Sequence, residues 1–292
     1  MTQNGVDYAP FDNNLTLSHA ITTSGGLNQG WIVTVPDYEG LNAAFMANVQ
    51  GAYARIPERH PLRFWPPNCK SRAPELGKNI VVAAGGVTPN LILVMETTMY
   101  NLSSLTLAAL TGVSSAYAEL DAFIRRHLVG DPARRKEFEG YFEHCFGWLF
   151  QNYDKIGIAE YFDIGIPDIV SSSVVQRVFS ENSLGKSAPR IPLLIYHSAK
   201  DEVSPPPQVD GLVSWYCAEG SEVEYRRVLS EKHTELGETA LFLALEWVKE
   251  RLDGVPMLPG CWNSTRVSGT TDPGTWVFLG ESVVANIVGL LE

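Results

Sequence analysis

Apolar positions along the chain fall into two textures, short unbroken runs and stretches with helical spacing, separated by Gly, Pro, Asp and Ser. Gly30-Trp31-Ile32-Val33-Thr34-Val35-Pro36 is a run of the first kind with turn residues at both ends. It predicts a short buried strand whose C-terminal loop carries Asp37-Tyr38-Glu39-Gly40. Asn79 to Gly86 predicts a second strand ending in glycines, and Pro192-Leu193-Leu194-Ile195-Tyr196-His197 a third. Unbroken apolar strands are what parallel strands covered on both faces require.

Between the second and third strands the texture changes. Ser103 to Leu128, Arg134 to Tyr153 and Ile166 to Phe179 favour helix, which reads as a helical insertion. Its aromatic cluster, Tyr141, Phe142, Phe146, Trp148, Leu149 and Phe150, is expected to pack into the insertion's own core, the alternative being a lipid-facing lid. After the third strand, Pro205-Pro206-Pro207 starts a helix with Val209, Leu212, Val213 and Tyr216 on one face. Val223-Glu224-Tyr225 alternates as a strand, and Thr234 to Leu252 predicts a helix stopped by Asp253-Gly254. The tail from Met257 onward shows no strong periodicity. The order of elements predicts an α/β architecture with its chemistry on loops at strand C-termini.

Composition narrows the partners. The chain has 292 residues, 45% hydrophobic and 19% charged, enough apolar material for one large or two small cores. Its net charge of -11 repels phosphate backbones, so nucleic acid is excluded as an expected partner. No apolar run reaches the roughly 18 to 20 residues of a membrane span. Met1 to Asp7 lacks the basic and apolar regions of a secretory signal, so the expectation is an intracellular protein or a missing true start. Cys69, Cys145, Cys217 and Cys261 show no ligand spacing, and no P-loop or GxGxxG occurs, so neither metal nor cofactor is implied. Three glycosylation sequons, at Asn14, Asn101 and Asn263, suit a secreted chain but also recur by chance.

One constellation carries chemistry. Asp201 follows the third apolar strand within Ser198-Ala199-Lys200-Asp201-Glu202-Val203, and His233 follows the next strand within Ser230-Glu231-Lys232-His233-Thr234. In a doubly wound sheet those loops are neighbours, so the carboxylate can orient the imidazole and stabilise its protonated form during acyl transfer. Taken singly, a capping Asp and a surface His are the simpler reading of each.

The C-terminal block, Ile191 to His197, Asp201-Glu202-Val203-Ser204-Pro205, Cys217-Ala218-Glu219-Gly220, Glu231-Lys232-His233 and Leu252-Asp253-Gly254, resembles the fungal secretory lipases of the lipase A type. Val35-Pro36-Asp37-Tyr38-Glu39-Gly40 resembles their oxyanion-loop strand, and Ala73-Pro74-Glu75-Leu76 through Gly85-Gly86-Val87-Thr88-Pro89 a further block. The resemblance implies an α/β-hydrolase-like, mostly parallel sheet formed by residues 1–89 and 187–292, incomplete around 41–72, with a helical cap insertion over 90–186. It implies hydrolysis of triglycerides and other acyl esters, without a cofactor, outside the cell. It makes Asp201 the triad acid, His233 the general base and Asp37 an oxyanion-hole residue, and it pairs Cys217 with Cys261. A further family cysteine has no counterpart at Asp7-Tyr8-Ala9-Pro10-Phe11, which leaves Cys145 without its partner.

The family's nucleophile lies in a Gly-Tyr-Ser-Gly-Gly elbow between the oxyanion loop and the Ala-Pro-Glu-Leu block, and this sequence has no G-x-S-x-G. Leu41 to Arg72 is only 32 residues, and Arg55 to Arg72 holds four prolines and five basic residues in 18 positions. No central strand or long helix tolerates such prolines. Codons for Trp65 to Lys70 read in another frame allow Leu-Ala-Ala-Glu-Leu-Gln, which suits the helix after an elbow and points to a mis-spliced or frame-disrupted segment. Ser71 and Ser204, the serines nearest the family blocks, are expected to be solvated loop residues. The expectation is an ester hydrolase impaired by loss of its serine, the alternative a non-catalytic lipid- or partner-binding protein.

Overall fold

The computed structural model describes residues 17–33, 44–48, 81–140, 157–229 and 232–267. These residues belong to two compact units, one containing Asn90–Leu184 and the other containing Pro10–Val35, Trp65–Pro89 and Gly185–Glu292.

The second unit is organised by a sheet. Strands β1 (Val82–Gly85), β2 (Leu193–Ser198), β3 (Val223–Val228) and β4 (Cys261–Arg266) pair in the order β1-β2-β3-β4, all parallel. β2 is buried along its whole length, as its unbroken apolar run requires, whereas β1 is only half-buried. Helix α1 (Leu17–Asn28) precedes the sheet in sequence.

Leu194 and Tyr196 of β2 point to one face, where they share a core with Leu236 of α9 (His233–Thr239) and Leu243, Ala244 and Trp247 of α10 (Leu241–Leu252). Tyr225 of β3, in register with Ile195, points to the other face, and its hydroxyl donates to Asp210 of α8 (Pro206–Ala218) at 3.0 Å. Helices therefore cover both faces of β2 and β3, the condition under which a parallel sheet is stable.

The other unit is helical. Helices α2 (Leu91–Thr98), α3 (Ser103–Ser114), α4 (Ala118–His127), α5 (Pro132–Gly140), α6 (Ile166–Ser171) and α7 (Ser173–Asn182) surround a core that includes Met95, Leu110, Ile124, Phe138, Tyr161 and Phe179. Asn90 starts α2, its Oδ1 accepting from the backbone of Ile92 at 3.0 Å and Leu93 at 3.2 Å.

Several expectations change. Trp31 to Val33 form no strand and Ile32 is 96% exposed; the remainder of that run lies outside the described residues. The helix expected over Thr234 to Leu252 is two helices broken at Ala240, and that over Ile166 to Phe179 breaks at Ser172, whose backbone is extended. The tail, given no element by periodicity, supplies β4. That strand is polar and almost wholly exposed, so it carries no hydropathy signal. Ladder bonds to β3 hold it there, together with a disulfide between Cys217 and Cys261, whose α-carbons are 5.9 Å apart. The aromatic cluster of 141–150, Cys69 and Cys145 lie outside the described residues.

Candidate active site

Parallel pairing of β2 with β3 runs to Ser198 opposite Val228, so both chains leave the sheet at the same end, and Ala199 N–H continues the ladder to the Val228 carbonyl at 2.7 Å. The loop after β2 carries Asp201 and the loop after β3 leads to His233 at the start of α9. Side-by-side strand ends are what bring residues 32 apart in sequence into contact.

Asp201 is 6% exposed. Its Oδ1 accepts two backbone N–H groups, from Val203 at 3.0 Å and Ser204 at 2.6 Å, so the carboxylate is built into its own turn. Its Oδ2 lies 2.8 Å from His233 Nδ1. Burial alone would raise the Asp201 carboxyl, but the hydrogen bond and charge of His233, the Ser204 N–H and the nearby His197 outweigh it, and the carboxyl ends below its ordinary value. An ionised carboxylate accepts only, so Nδ1 of neutral His233 carries the proton and Nε2 is the basic nitrogen.

His233 is held through its backbone and bounded at its ring. Glu202 accepts the His233 backbone N–H through Oε2 at 2.8 Å, and Lys232 N–H donates to Glu235 Oε2 at 3.0 Å, which anchors the first turn of α9. Gly86, at the end of β1, adopts φ +56 and faces the ring; a β-carbon there would lie 3.1 Å from His233 Cε1. Glycine meets both demands, the left-handed backbone and the close approach.

This arrangement can take a proton at Nε2 and stabilise the resulting imidazolium through Asp201, the requirement of general-base catalysis in acyl transfer. Among the described residues no group of three His, Cys, Asp or Glu could hold a metal ion.

A profile of the family described as Secretory lipase matches residues 67–260. The chain belongs to the secretory lipase family. It is 28% identical to Lipase A of Arthroderma benhamiae over 96% of this chain and 66% of that protein. It is 26% identical to the Secreted triacylglycerol lipase LIP1 of Malassezia furfur over 90% of this chain and 60% of that protein. The chain thus spans under two thirds of the length of these relatives. The crystal structure of Candida antarctica lipase A superimposes with a TM-score of 0.77 at 18% identity, covering 98% of this chain and 73% of that one, which establishes the fold as α/β-hydrolase-like.

Of the residues singled out from sequence, the secretory lipase fold of this chain brings Asp201 and His233 together and joins Cys217 to Cys261. Asp37 and Ser71 lie outside the described residues. Ser204 is corrected: it is fully buried, not solvated, because the Asp201 turn folds its peptide groups inward. Glu202 and Gly86 stand within the family-like blocks without a role that the sequence assigns them. Their signals were an acidic residue beside Asp201 and a paired glycine at a strand end. Among the described residues no helix is long and apolar enough to cross a membrane.

Proposed function

We propose that this chain carries the acid–base machinery of an extracellular carboxylic ester hydrolase acting on triacylglycerols and related acyl esters, and that it lacks the elbow serine that machinery serves. The observation that carries the reading is the 2.8 Å contact between His233 Nδ1 and Asp201 Oδ2, made by loops on adjacent parallel strands. With a serine present, Nε2 of His233 takes the hydroxyl proton as the oxygen attacks the ester carbonyl, Asp201 stabilises the imidazolium, and the proton passes to the departing alkoxide. Asp37 is proposed for the oxyanion hole, and residues 90–186 for a cap insertion into a core of 1–89 and 187–292. The Cys217–Cys261 disulfide supports passage through an oxidising compartment.

The absence of any G-x-S-x-G favours a second reading, a protein that binds acyl chains or a partner without turnover. Fluorophosphonate labelling together with short- and long-chain ester turnover separates the readings. The chain as given is expected to show background turnover and no labelled serine. The same chain with a family elbow segment in place of residues 41–72 is expected to label and turn over. Robust serine labelling of the unaltered chain overturns the missing-nucleophile reading, and a silent elbow-bearing chain overturns the hydrolase reading in favour of binding.

A further inference from the structure

His197, the last-but-one residue of β2, is a histidine that the Asp–His pair leaves unexplained. It is fully buried, and its Nε2 lies 2.9 Å from the carbonyl oxygen of Ser204 and 3.6 Å from Asp201 Oδ2, the oxygen that engages His233. A carbonyl only accepts, so Nε2 carries the proton and donates. Nδ1, then the bare nitrogen, has no hydrogen-bond partner among the described residues.

At Ser204 the turn has two backbone groups to satisfy. Ser204 N–H is committed to Asp201 Oδ1 at 2.6 Å. The following peptide leads into Pro205, which has no N–H, so the Ser204 carbonyl is that peptide's sole backbone hydrogen-bonding group. Ser204 is fully buried, so that carbonyl needs a donor, and His197 supplies it. Asp201 through its Oδ1 and His197 through its Nε2 therefore grip Ser204 from its two ends, and the grip fixes the carboxylate that faces His233.

We propose that His197 is a positioning residue for the Asp201–His233 pair: an Nε2-protonated imidazole that closes the Asp201 turn and aims its N–H dipole beside the working carboxylate oxygen. The role rests on the reading of Asp201 and His233 as the acid–base pair. A charged imidazole is disfavoured by burial above all, and by His233, while Asp201, the Ser204 carbonyl and Asp210 act the other way; the net direction is downward from the ordinary histidine value.

The test is nitrogen-15 NMR of the histidine-labelled full chain, with amide exchange. In the unaltered protein His197 is expected as the Nε2–H tautomer, and His233 is expected to show a far-downfield Nδ1–H signal from its bond to Asp201. His197→Leu is expected to lose that signal and to speed exchange of the Val203 and Ser204 amides roughly tenfold, with the β2 and β3 amides unchanged. His197→Gln, which keeps an N–H near the Nε2 position, is expected to restore both. An Nδ1–H or doubly protonated His197 in the unaltered protein, a leucine variant that keeps both signals, or a glutamine variant as impaired as leucine overturns the role. If His197→Leu does not fold, the tautomer in the unaltered chain decides. None of these readouts requires turnover, so an inactive elbow-bearing chain would sink the hydrolase reading while leaving this test standing.

Discussion

Gly86 lies against the ring of His233, so closely that a β-carbon on it would sit 3.1 Å from Cε1 and 3.5 Å from both Nδ1 and Nε2. The contact joins the end of β1 to the start of α9 and limits where the imidazole can tilt. Gly86→Ala is expected to cost about 1–2 kcal/mol from its left-handed backbone and to shift the His233 Nδ1–H signal as the ring gives way. Urea unfolding and proton NMR check this; an alanine variant with unchanged midpoint and signal would contradict it.

Asp201 serves two masters, the amides of its own turn and the imidazole. Asp201→Ala strands the Val203 and Ser204 N–H groups in a buried site, at about 1–3 kcal/mol for each group left unsatisfied. Asp201→Asn keeps a side-chain oxygen for those amides and is expected to retain most of the stability, while presenting His233 with a neutral partner. Denaturant midpoints of the two variants separate the roles, and equal losses would show that the turn bonds contribute little.

Acid sensitivity follows from two buried groups. His197 is held below its ordinary 6.5, chiefly by burial. Asp201 is held below its ordinary 3.8: burial acts upward, and the bond to His233 and its other partners outweighs it. In each case the unfolded chain takes up its proton first as pH falls, so the stability contribution is complete above the unfolded value and is lost on acidification. The urea midpoint is expected to start falling below about pH 6.5 and to fall again below about pH 3.8. His197→Gln should remove the first decline relative to the unaltered chain. Parallel pH profiles for the two proteins would refute the assignment.

β4 depends on its staple. The Cys217–Cys261 bridge closes a loop of sequence separation 44, for which chain entropy gives about 4 kcal/mol as an upper figure. Reduction is expected to lower stability by about 2–4 kcal/mol and to expose the amides of Cys261–Arg266 first, since that strand buries almost nothing. Hydrogen exchange with and without reductant measures it, and unchanged protection of β4 would count against the role.

What the sequence disclosed follows from burial. β2 was legible because both its faces are covered, which forces an unbroken apolar run, and the Asp201–His233 contact followed from loops after adjacent strands. β4 was not legible, since a polar edge strand fixed by a ladder and a disulfide leaves no periodicity. The single helix expected over Thr234 to Leu252 hid a break at Ala240 because apolar residues continue at helical spacing across it. Gly86 and His197 act through close approach and a single donated proton, properties of three-dimensional packing that residue type alone does not announce.

We propose that His233 and Asp201 are acyl-transfer machinery waiting on a serine. The most direct test is the rate of acyl-ester hydrolysis by the chain in which residues 41–72 are exchanged for the elbow-bearing segment of a secretory lipase relative. A gain over the unaltered chain of several orders of magnitude is expected, since removing a triad serine costs on the order of 10⁶ in turnover, and His233→Ala is expected to abolish it. An exchanged chain that folds yet hydrolyses esters no faster than the unaltered one, or whose activity survives His233→Ala, would contradict the proposal.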